Sequence, residues 1–318
     1  MMRALILGLC LAGCGAQATP RVRILGSVDG GPPSPGWVYA RRGQRVVLHA
    51  ELTPPDPRAR FRWFALEPTT LALDNTEPRF HYEKVKYAVR ELEGCRDQPT
   101  CDGDVTPHVL PSTPGLEGLG TMAFQLVALL PDGTAVATPG TEAVERGGLS
   151  REVFKVAIRR DDTFTGYLTE LLNTPYIFGS DGPPGQHQSE LLIGSDCADL
   201  CVYAARRSGR NVPFVSTWSI ADHAPERLRA TGQTVDGRFT DARGRPLWVG
   251  PHDDEVHVGD LLLFPASRHV GVLFEDRPPL GVLDANDLLF HTCWAPPTAQ
   301  PLRETACASL PVRVLRFR

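Results

Sequence analysis

One stretch decides the expected fold of this chain: GSDCADLC, residues 194–201. Its serine and its first aspartate are both suited to cap a helix, because their side-chain oxygens accept the unpaired amide protons of a first turn. The residues that follow, 198–208, are rich in Ala, Leu, Val and Arg, and Gly209 offers a left-handed stop. The sequence therefore predicts a helix that begins beside Cys197.

A cysteine in this place is suited to nucleophilic chemistry. Exposed amides and the helix dipole favour an anion at a helix start, so we expect the pKa of Cys197 to fall below the free value of about 8.5. A thiolate formed in this way attacks a carbonyl carbon if a base lies nearby.

Composition sets the bounds on class and partners. A chain of 318 residues is long enough for two domains, and its 42% hydrophobic and 22% charged residues are ordinary for a globular protein. The net charge of -4 gives no reason to expect nucleic acid or an anionic membrane surface as a partner. The 30 glycines and 29 prolines favour strands and loops over long helices.

The N-terminus has the pattern of a targeting segment. A weakly basic start, MMR, precedes a short apolar run over residues 4–11, and LAGC at 11–14 resembles the lipobox of bacterial lipoproteins. That resemblance implies a signal peptide over 1–13, a lipid on Cys14 that tethers the protein to a membrane, and a tether or linker over 14–36. The expected location is the exported cell envelope, facing the periplasm or the cell surface. An ordinary secretory peptide is the alternative.

Export implies an oxidising compartment, so disulfides are expected. Two pairs are predicted: Cys95–Cys101 in a polar loop and Cys293–Cys307 near the C-terminus. Cys197 and Cys201 are four residues apart on a predicted helix, where their parallel side chains are poorly placed for a disulfide. We expect both of these to stay reduced.

The segment 37–160 is predicted to be an all-β sandwich. Short strand patterns, such as VVLHA at 46–50 and the alternating 152–159, are separated by Pro, Gly and Asp turns. The run at 40–48, followed by FRW at 61–63, resembles the opening strands of an immunoglobulin-like domain. No cluster of catalytic residue types occurs here, so the segment is interpreted as a spacer or recognition domain.

The segment 161–318 is predicted to be a second, α+β domain. A helical pattern over 163–172 and the helix at Cys197 come first, and apolar strand patterns follow. Two histidines lie on these strands, His269 after a tight turn and His291 on the next strand. If the strands pair, the two imidazoles lie close together, as a base and the third group that orients it.

Five motifs of this segment, in order, resemble those of the NlpC/P60 family. They are TPYIFG at 174–179, DCA at 196–198, GDLLLF at 259–264, HVGV at 269–272 and FHT at 290–292. The resemblance covers residues 163 to the C-terminus. It implies a papain-like fold, with the nucleophile helix packed on an antiparallel sheet, and a peptidase that cleaves amide bonds in peptidoglycan stem peptides.

The resemblance also implies roles for individual residues. Cys197 is the expected nucleophile, His269 the general base and His291 the orienting residue. Tyr176 and Asp196 match positions that bind the amine of the substrate or line the cleft. No cofactor or metal is implied.

The sequence departs from the family pattern in two places, one that concerns the substrate and one that concerns the residue that orients the histidine base. The family has Ser-Gly after the cysteine, whereas this chain has Ala-Asp, which places Asp199 where a glycine normally permits close packing. The connection from the first histidine to the second is also long, so Asp284 or Asp287 is an alternative orienting group.

The sequence is also compatible with other functions. The same three residues suit an amidase or acyltransferase acting on another amide or ester, and an inactive envelope-binding lipoprotein is the non-enzyme alternative. The HDDEVH run at 252–257 contains metal-ligand residue types but is interpreted as a solvated loop. Trp218 is expected either to stack on a ligand at the cleft rim or to pack. The oligomeric state is not predicted.

Overall fold

The computed structural model describes residues 19–76 and 81–318. The strands are β1 (Arg21–Val28), β2 (Val38–Arg41), β3 (Val46–Thr53), β4 (Arg60–Pro68), β5 (Ala72–Asp74), β6 (Tyr87–Glu91), β7 (Thr100–Asp102), β8 (Gly120–Leu129), β9 (Ala135–Ala137), β10 (Val144–Glu145), β11 (Gly148–Leu149), β12 (Phe154–Arg159), β13 (Tyr176–Phe178), β14 (Glu226–Ala230), β15 (Gly232–Gln233), β16 (Phe239–Thr240), β17 (Leu261–Phe264), β18 (His269–Glu275), β19 (Leu288–His291), β20 (Thr298–Pro301) and β21 (Val312–Leu315). The α-helices are α1 (Phe164–Leu168), α2 (Cys197–Arg207) and α3 (Ile220–His223).

The predicted α+β, papain-like NlpC/P60 fold is wrong for this chain. Over the described residues the protein is mostly β, with 36% in strands and 11% in helices, and the three α-helices found there are short. The apolar spacing over 163–172 gives only α1 and then a 3-10 turn, Thr169–Leu171. Local helical spacing did not extend the helix because the chain turns there, with Asn173 in the left-handed region at φ +67°.

The first half forms a β-sandwich. One sheet has the order β1-β3-β7, and the other has the order β2-β12-β8-β4-β6, with β9 paired to β8. The two inner faces meet in one core, which contains the buried residues Ile24, Leu48, Trp63, Phe124 and Val156. The alternation of apolar residues along these strands produces this face-to-face burial.

The predicted tether over 14–36 is wrong for its second part. Strand β1 pairs antiparallel with β3 along its whole length, from Arg21 opposite Thr53 to Val28 opposite Val46. Alternate β1 side chains, including Ile24, enter the sandwich core, so these residues belong to the domain. Cys14, the signal peptide at 1–13 and the start of the tether lie outside the described residues.

The second half is built on a six-stranded antiparallel sheet. Its order is β14-β21-β17-β18-β19-β20, and both histidine-bearing strands are central neighbours. Helix α2 packs across one face, where Leu200 and Ala204 share a core with Val270 and Val272. Burial of these side chains fixes the helix, and therefore its first residue, against the start of β18.

The two halves are joined by backbone pairing and by one buried lysine. Strand β13 pairs parallel with β5 of the first half. Lys155 of β12 is buried, and its ammonium donates to the carbonyl groups of Leu149 and Leu191 and lies 4.5 Å from the ring centre of Trp37. Burial lowers the pKa of Lys155 to about 7.

Cysteine pairing differs in part from the prediction. Cys95 and Cys101 form a disulfide with a Cα–Cα distance of 5.2 Å. The predicted Cys293–Cys307 bond is wrong: Cys293 is an exposed free thiol, and Cys307 is buried with its sulfur 3.4 Å from the Ser267 hydroxyl. Among the helices within residues 19–76 and 81–318, none has the length and hydropathy that crossing a bilayer requires.

Candidate functional site

The site begins at the N-terminus of α2. The Asp196 carboxylate accepts hydrogen bonds from the amides of Ala198 and Asp199, at 2.9 Å each, and so caps the helix. The other predicted cap, Ser195, has a buried hydroxyl that meets no partner in the described part of the chain. Capping places Cys197 as the first helical residue, beside Val270 at the start of β18.

The two histidines lie close together, as predicted from the sequence. Strands β18 and β19 pair antiparallel, with Val272 opposite Phe290. This register brings the Nε2 atom of His269 to 2.8 Å from the Nδ1 atom of His291, with the rings at 72° to each other. The bond leaves Nδ1 of His269 as the ring nitrogen that can exchange a proton with a group in the cleft.

A cleft of about 430 Å³ contains the thiol and the first imidazole. This volume falls within the range of small-ligand sites. Its lining comes from five separate segments of the chain and includes Tyr176, Phe178, Asp196, Cys197, Ser216, Thr217, Trp218, Arg268, His269, Cys293 and Trp294. Four of the five residues proposed from the sequence line this cleft, and His291 supports it from behind.

The expected lowering of the cysteine pKa is not found. Burial, and then the carboxylate of Asp196, raise the pKa of Cys197 well above its usual value, while the nearby backbone of Val270 opposes them. The side chain is 9% exposed, so loss of hydration outweighs the helix N-terminus. Burial also raises the pKa of Asp196 to about 6. The thiol is therefore neutral near pH 7.

The imidazoles are neutral as well. Burial lowers the pKa of His269 to about 4. Burial, and to a smaller extent repulsion from His269, lower the pKa of His291 to about 3. The Nε2 atom of His291 is buried and has no hydrogen-bond partner among the described residues. A neutral His269 with its proton on Nε2 donates to His291 and keeps Nδ1 open as a base.

Asp199 has a defined place behind the cleft. Its carboxylate accepts a hydrogen bond from the Ser180 hydroxyl and lies 3.6 Å from Nε2 of His187. The same hydroxyl accepts the backbone N–H of Asp196 at 3.1 Å. Burial, and then the nearby Asp196 carboxylate, raise the pKa of Asp199 strongly. The residue that departs from the family pattern therefore ties the 180–190 loop to the start of α2.

Aromatic side chains line the rim of the cleft. The ring of Trp294 lies 5.2 Å from that of Tyr176 and 5.6 Å from that of Phe178. Trp218 is 71% exposed, and the Arg268 guanidinium lies 4.6 Å from its ring centre. Trp218 is thus a rim residue, and the packing role considered for it is wrong.

The other candidate groups lie elsewhere. Asp287 accepts the backbone N–H groups of Arg277 and Asp284, and the Asp284 carboxylate accepts the N–H of Asn286, so both carboxylates order their own loop. His269 has His291 as its hydrogen-bond partner instead. Over the described ranges, no group of three or more His, Cys, Asp or Glu side chains is arranged to hold a metal ion.

Comparison with protein-family models, with curated proteins and with solved structures finds no match. The resemblance to the NlpC/P60 family stays a prediction.

The cleft residues missed at the sequence level include Phe178, Arg268 and Trp294. Arg268 directly precedes His269 in the sequence, and Trp294 closely follows His291. Both have a left-handed backbone, with φ +52°. That conformation is uncommon for residues with a side chain and has no signature in sequence.

Proposed function

We propose that this protein is a cysteine hydrolase that cleaves an amide bond, with the stem peptides of the bacterial cell wall as its substrate class. One observation carries the proposal: a thiol at a helix N-terminus shares a cleft with an imidazole that a second imidazole orients at 2.8 Å. A nucleophile, a base and an orienting group are the three parts that acyl transfer requires. The proposal rests on this chemistry and not on a family fold.

The reaction begins when the Cys197 sulfur attacks the amide carbonyl and Nδ1 of His269 takes the thiol proton. The imidazolium is stabilised because its Nε2–H donates to His291. It then gives its proton to the leaving amine as the carbon–nitrogen bond breaks, and water hydrolyses the thioester with the same base.

The developing oxyanion needs a donor that no other group uses. In the first turn of α2, the side chain of Asp196 accepts hydrogen bonds from the amides of Ala198 and Asp199. The backbone carbonyl of Asp196 accepts one from the amide of Leu200. The Cys197 amide is the first-turn donor that remains for the oxyanion.

The cell-wall assignment is supported by the sequence and not by the described residues. The lipobox-like LAGC at 11–14 favours a location in the cell envelope. A lipid-anchored protein there is exposed to peptidoglycan.

The proposal is tested by incubating the purified protein with defined muropeptides and identifying the products by mass spectrometry. We expect cleavage by the wild type, none by Cys197→Ser, and unchanged cleavage by Cys201→Ser. Cys201 is a matched control because it is a fully buried thiol on the same helix. Intact muropeptides in every sample would rule out this substrate class. Cleavage by Cys197→Ser at the wild-type rate would rule out the mechanism.

The role of the second imidazole is tested separately. His291→Ala should lower kcat by about 10-fold or more, because an unoriented base loses its hydrogen bond, with little change in KM. His291→Asn should restore much of the rate, since its amide oxygen accepts a hydrogen bond. Equal rates for the two variants would show that His291 acts only in packing.

The burial of the thiol favours a second candidate, an envelope-binding protein without turnover. The pKa of Cys197 lies well above its usual value, so the thiol is protonated when a ligand binds and attacks only if His269 removes its proton. Binding of muropeptides with no product after extended incubation, at any pH between 6 and 10, would identify this second function.

A further inference from the structure

We propose that the cleft recognises a saccharide unit of its substrate, which stacks on Trp294, while an acidic group of the same molecule pairs with Arg268. The inference rests on the proposed function, because it assigns the substrate class of the same cleft. It extends that function from a bare peptide to a glycopeptide that carries a carboxylate.

The placement of Trp294 is not explained by stability. Its side chain is 57% exposed, so it gains only part of the burial that a tryptophan offers the fold. Its backbone is also left-handed, at φ +52°, which is unfavourable for a bulky residue. Features that are costly to the fold and cluster at a cleft indicate ligand binding.

Neighbouring rings hold this tryptophan in position. Tyr176 contacts it at 49° between ring planes and Phe178 at 37°. Tyr176 is buried, whereas Phe178 is 42% exposed and continues the aromatic surface outward. Trp294 is therefore an ordered platform with open ring surface that faces the cleft.

An open platform suits a sugar better than an apolar side chain. An apolar side chain gains free energy from enclosure on several sides, and this rim does not provide it. A sugar ring packs its C–H face on an indole and keeps its hydroxyl groups in water or on polar neighbours. Ser216 and Thr217, which also line the cleft, are such neighbours.

Arg268 supplies the charge. It is exposed, its guanidinium lies 4.6 Å from the ring centre of Trp218, and it makes no ion pair within residues 19–76 and 81–318. Its backbone has the same left-handed conformation as that of Trp294. An unpaired guanidinium beside His269 matches a substrate carboxylate close to the bond that is cleaved.

The test measures binding by isothermal titration calorimetry with the full-length Cys197→Ser protein, in which we expect no turnover. The probes are N-acetylmuramyl dipeptide, the same dipeptide without the sugar, and the apolar peptide acetyl-Ala-Phe-Phe-Ala-amide. We expect the glycopeptide to bind about 10-fold more tightly than the dipeptide, which corresponds to one good aromatic contact.

Variants in the same background locate the contacts. Trp294→Ala should remove the preference for the sugar, and Arg268→Gln should weaken both acidic probes and reduce their salt dependence. Trp248→Ala is the matched control, because Trp248 is also 57% exposed and lines a different groove. It should bind all three probes as the parent does.

Three results would overturn the inference: equal affinity for the glycopeptide and the dipeptide, an unchanged preference in Trp294→Ala, or tightest binding of the apolar peptide. The failure of the proposed function looks different. Sugar-dependent binding without cleavage by the wild type would rule out hydrolysis and leave the saccharide site in place. Cleavage of the sugar-free peptide at the same rate as the glycopeptide would rule out the saccharide site and leave hydrolysis in place.

Discussion

Cys197 illustrates how burial and a neighbouring charge set reactivity at the scale of one residue. Helix dipole and hydrogen bonding favour the thiolate, but burial and the Asp196 carboxylate oppose it more strongly. The aspartate acts in two ways, since its side chain caps α2 and its charge repels the thiolate. Removing the charge while keeping the cap separates these effects.

Asp196→Asn should therefore speed alkylation of Cys197 by iodoacetamide several-fold at pH 8, because asparagine caps a helix as well as aspartate does. The rate is measured by mass spectrometry of the Cys197 peptide. Alkylation of Cys293, whose raised pKa is caused by burial and not by Asp196, is the internal control and should not change. An unaltered Cys197 rate would show that the carboxylate does not set the thiol pKa.

The left-handed backbone of Trp294 gives a second prediction at this scale. Trp294→Gly should be more stable than Trp294→Ala by about 1 kcal/mol, because both lose the ring but only glycine adopts φ +52° freely. Urea unfolding of the two variants measures the difference. At Trp248, which is not among the residues with positive φ, alanine should be the more stable of the pair.

At the scale of elements, α2 is held at both ends. Its start is tied by the Asp196 cap, and its last turn is tied by Glu170, which is fully buried. The Glu170 carboxylate accepts two hydrogen bonds from Arg207, at 2.7 and 2.9 Å, and one from the Tyr203 hydroxyl at 2.6 Å. Arg159 of β12 lies 3.3 Å away, so the helix is also tied to the sandwich.

Glu170→Ala should lower the free energy of unfolding by about 3–5 kcal/mol, since it leaves a partly buried guanidinium without its partner. Urea unfolding followed by circular dichroism measures this loss. Glu145→Ala removes a more exposed ion pair, with Arg151, and should cost about 1 kcal/mol or less. Similar losses in both variants would mean that the Glu170 network does not stabilise the helix.

At the scale of the whole molecule, Lys155 is one of the contacts that join the two halves. Lys155 is bonded to a carbonyl of β11 and to one of the loop before α2, and its pKa is lowered to about 7 by burial. The folded state therefore binds fewer protons than the unfolded state between that value and the unperturbed 10.5. The stability of the native protein falls as pH decreases through this window.

Lys155→Met should remove this dependence. The stability of the variant minus that of the wild type should decrease by about 1.4 kcal/mol per pH unit from pH 7 to pH 10.5. The lost carbonyl hydrogen bonds add a constant and do not alter the slope. Urea unfolding at several pH values gives the slope, and a flat difference would show that Lys155 is charged in the folded protein.

The sequence by itself determined the local features of this protein. Short-range chemistry placed the cap at Asp196, the thiol on the first turn of α2 and strands at β17, β18 and β19, because capping and apolar alternation act over a few residues. The small Cys95–Cys101 ring follows from spacing in the same way.

The tertiary structure alone decided the balance of secondary structure, the protonation of the site and the shape of the cleft. Strand pairing between distant segments absorbed β1 into the sandwich and made the chain mostly β. Burial, a property of the packed molecule, raised the pKa of Cys197 and lowered that of His269. Trp294 and Arg268 reach the cleft because the start of β18 and the end of β19, which they flank, meet there, and no pattern along the chain records which segments converge.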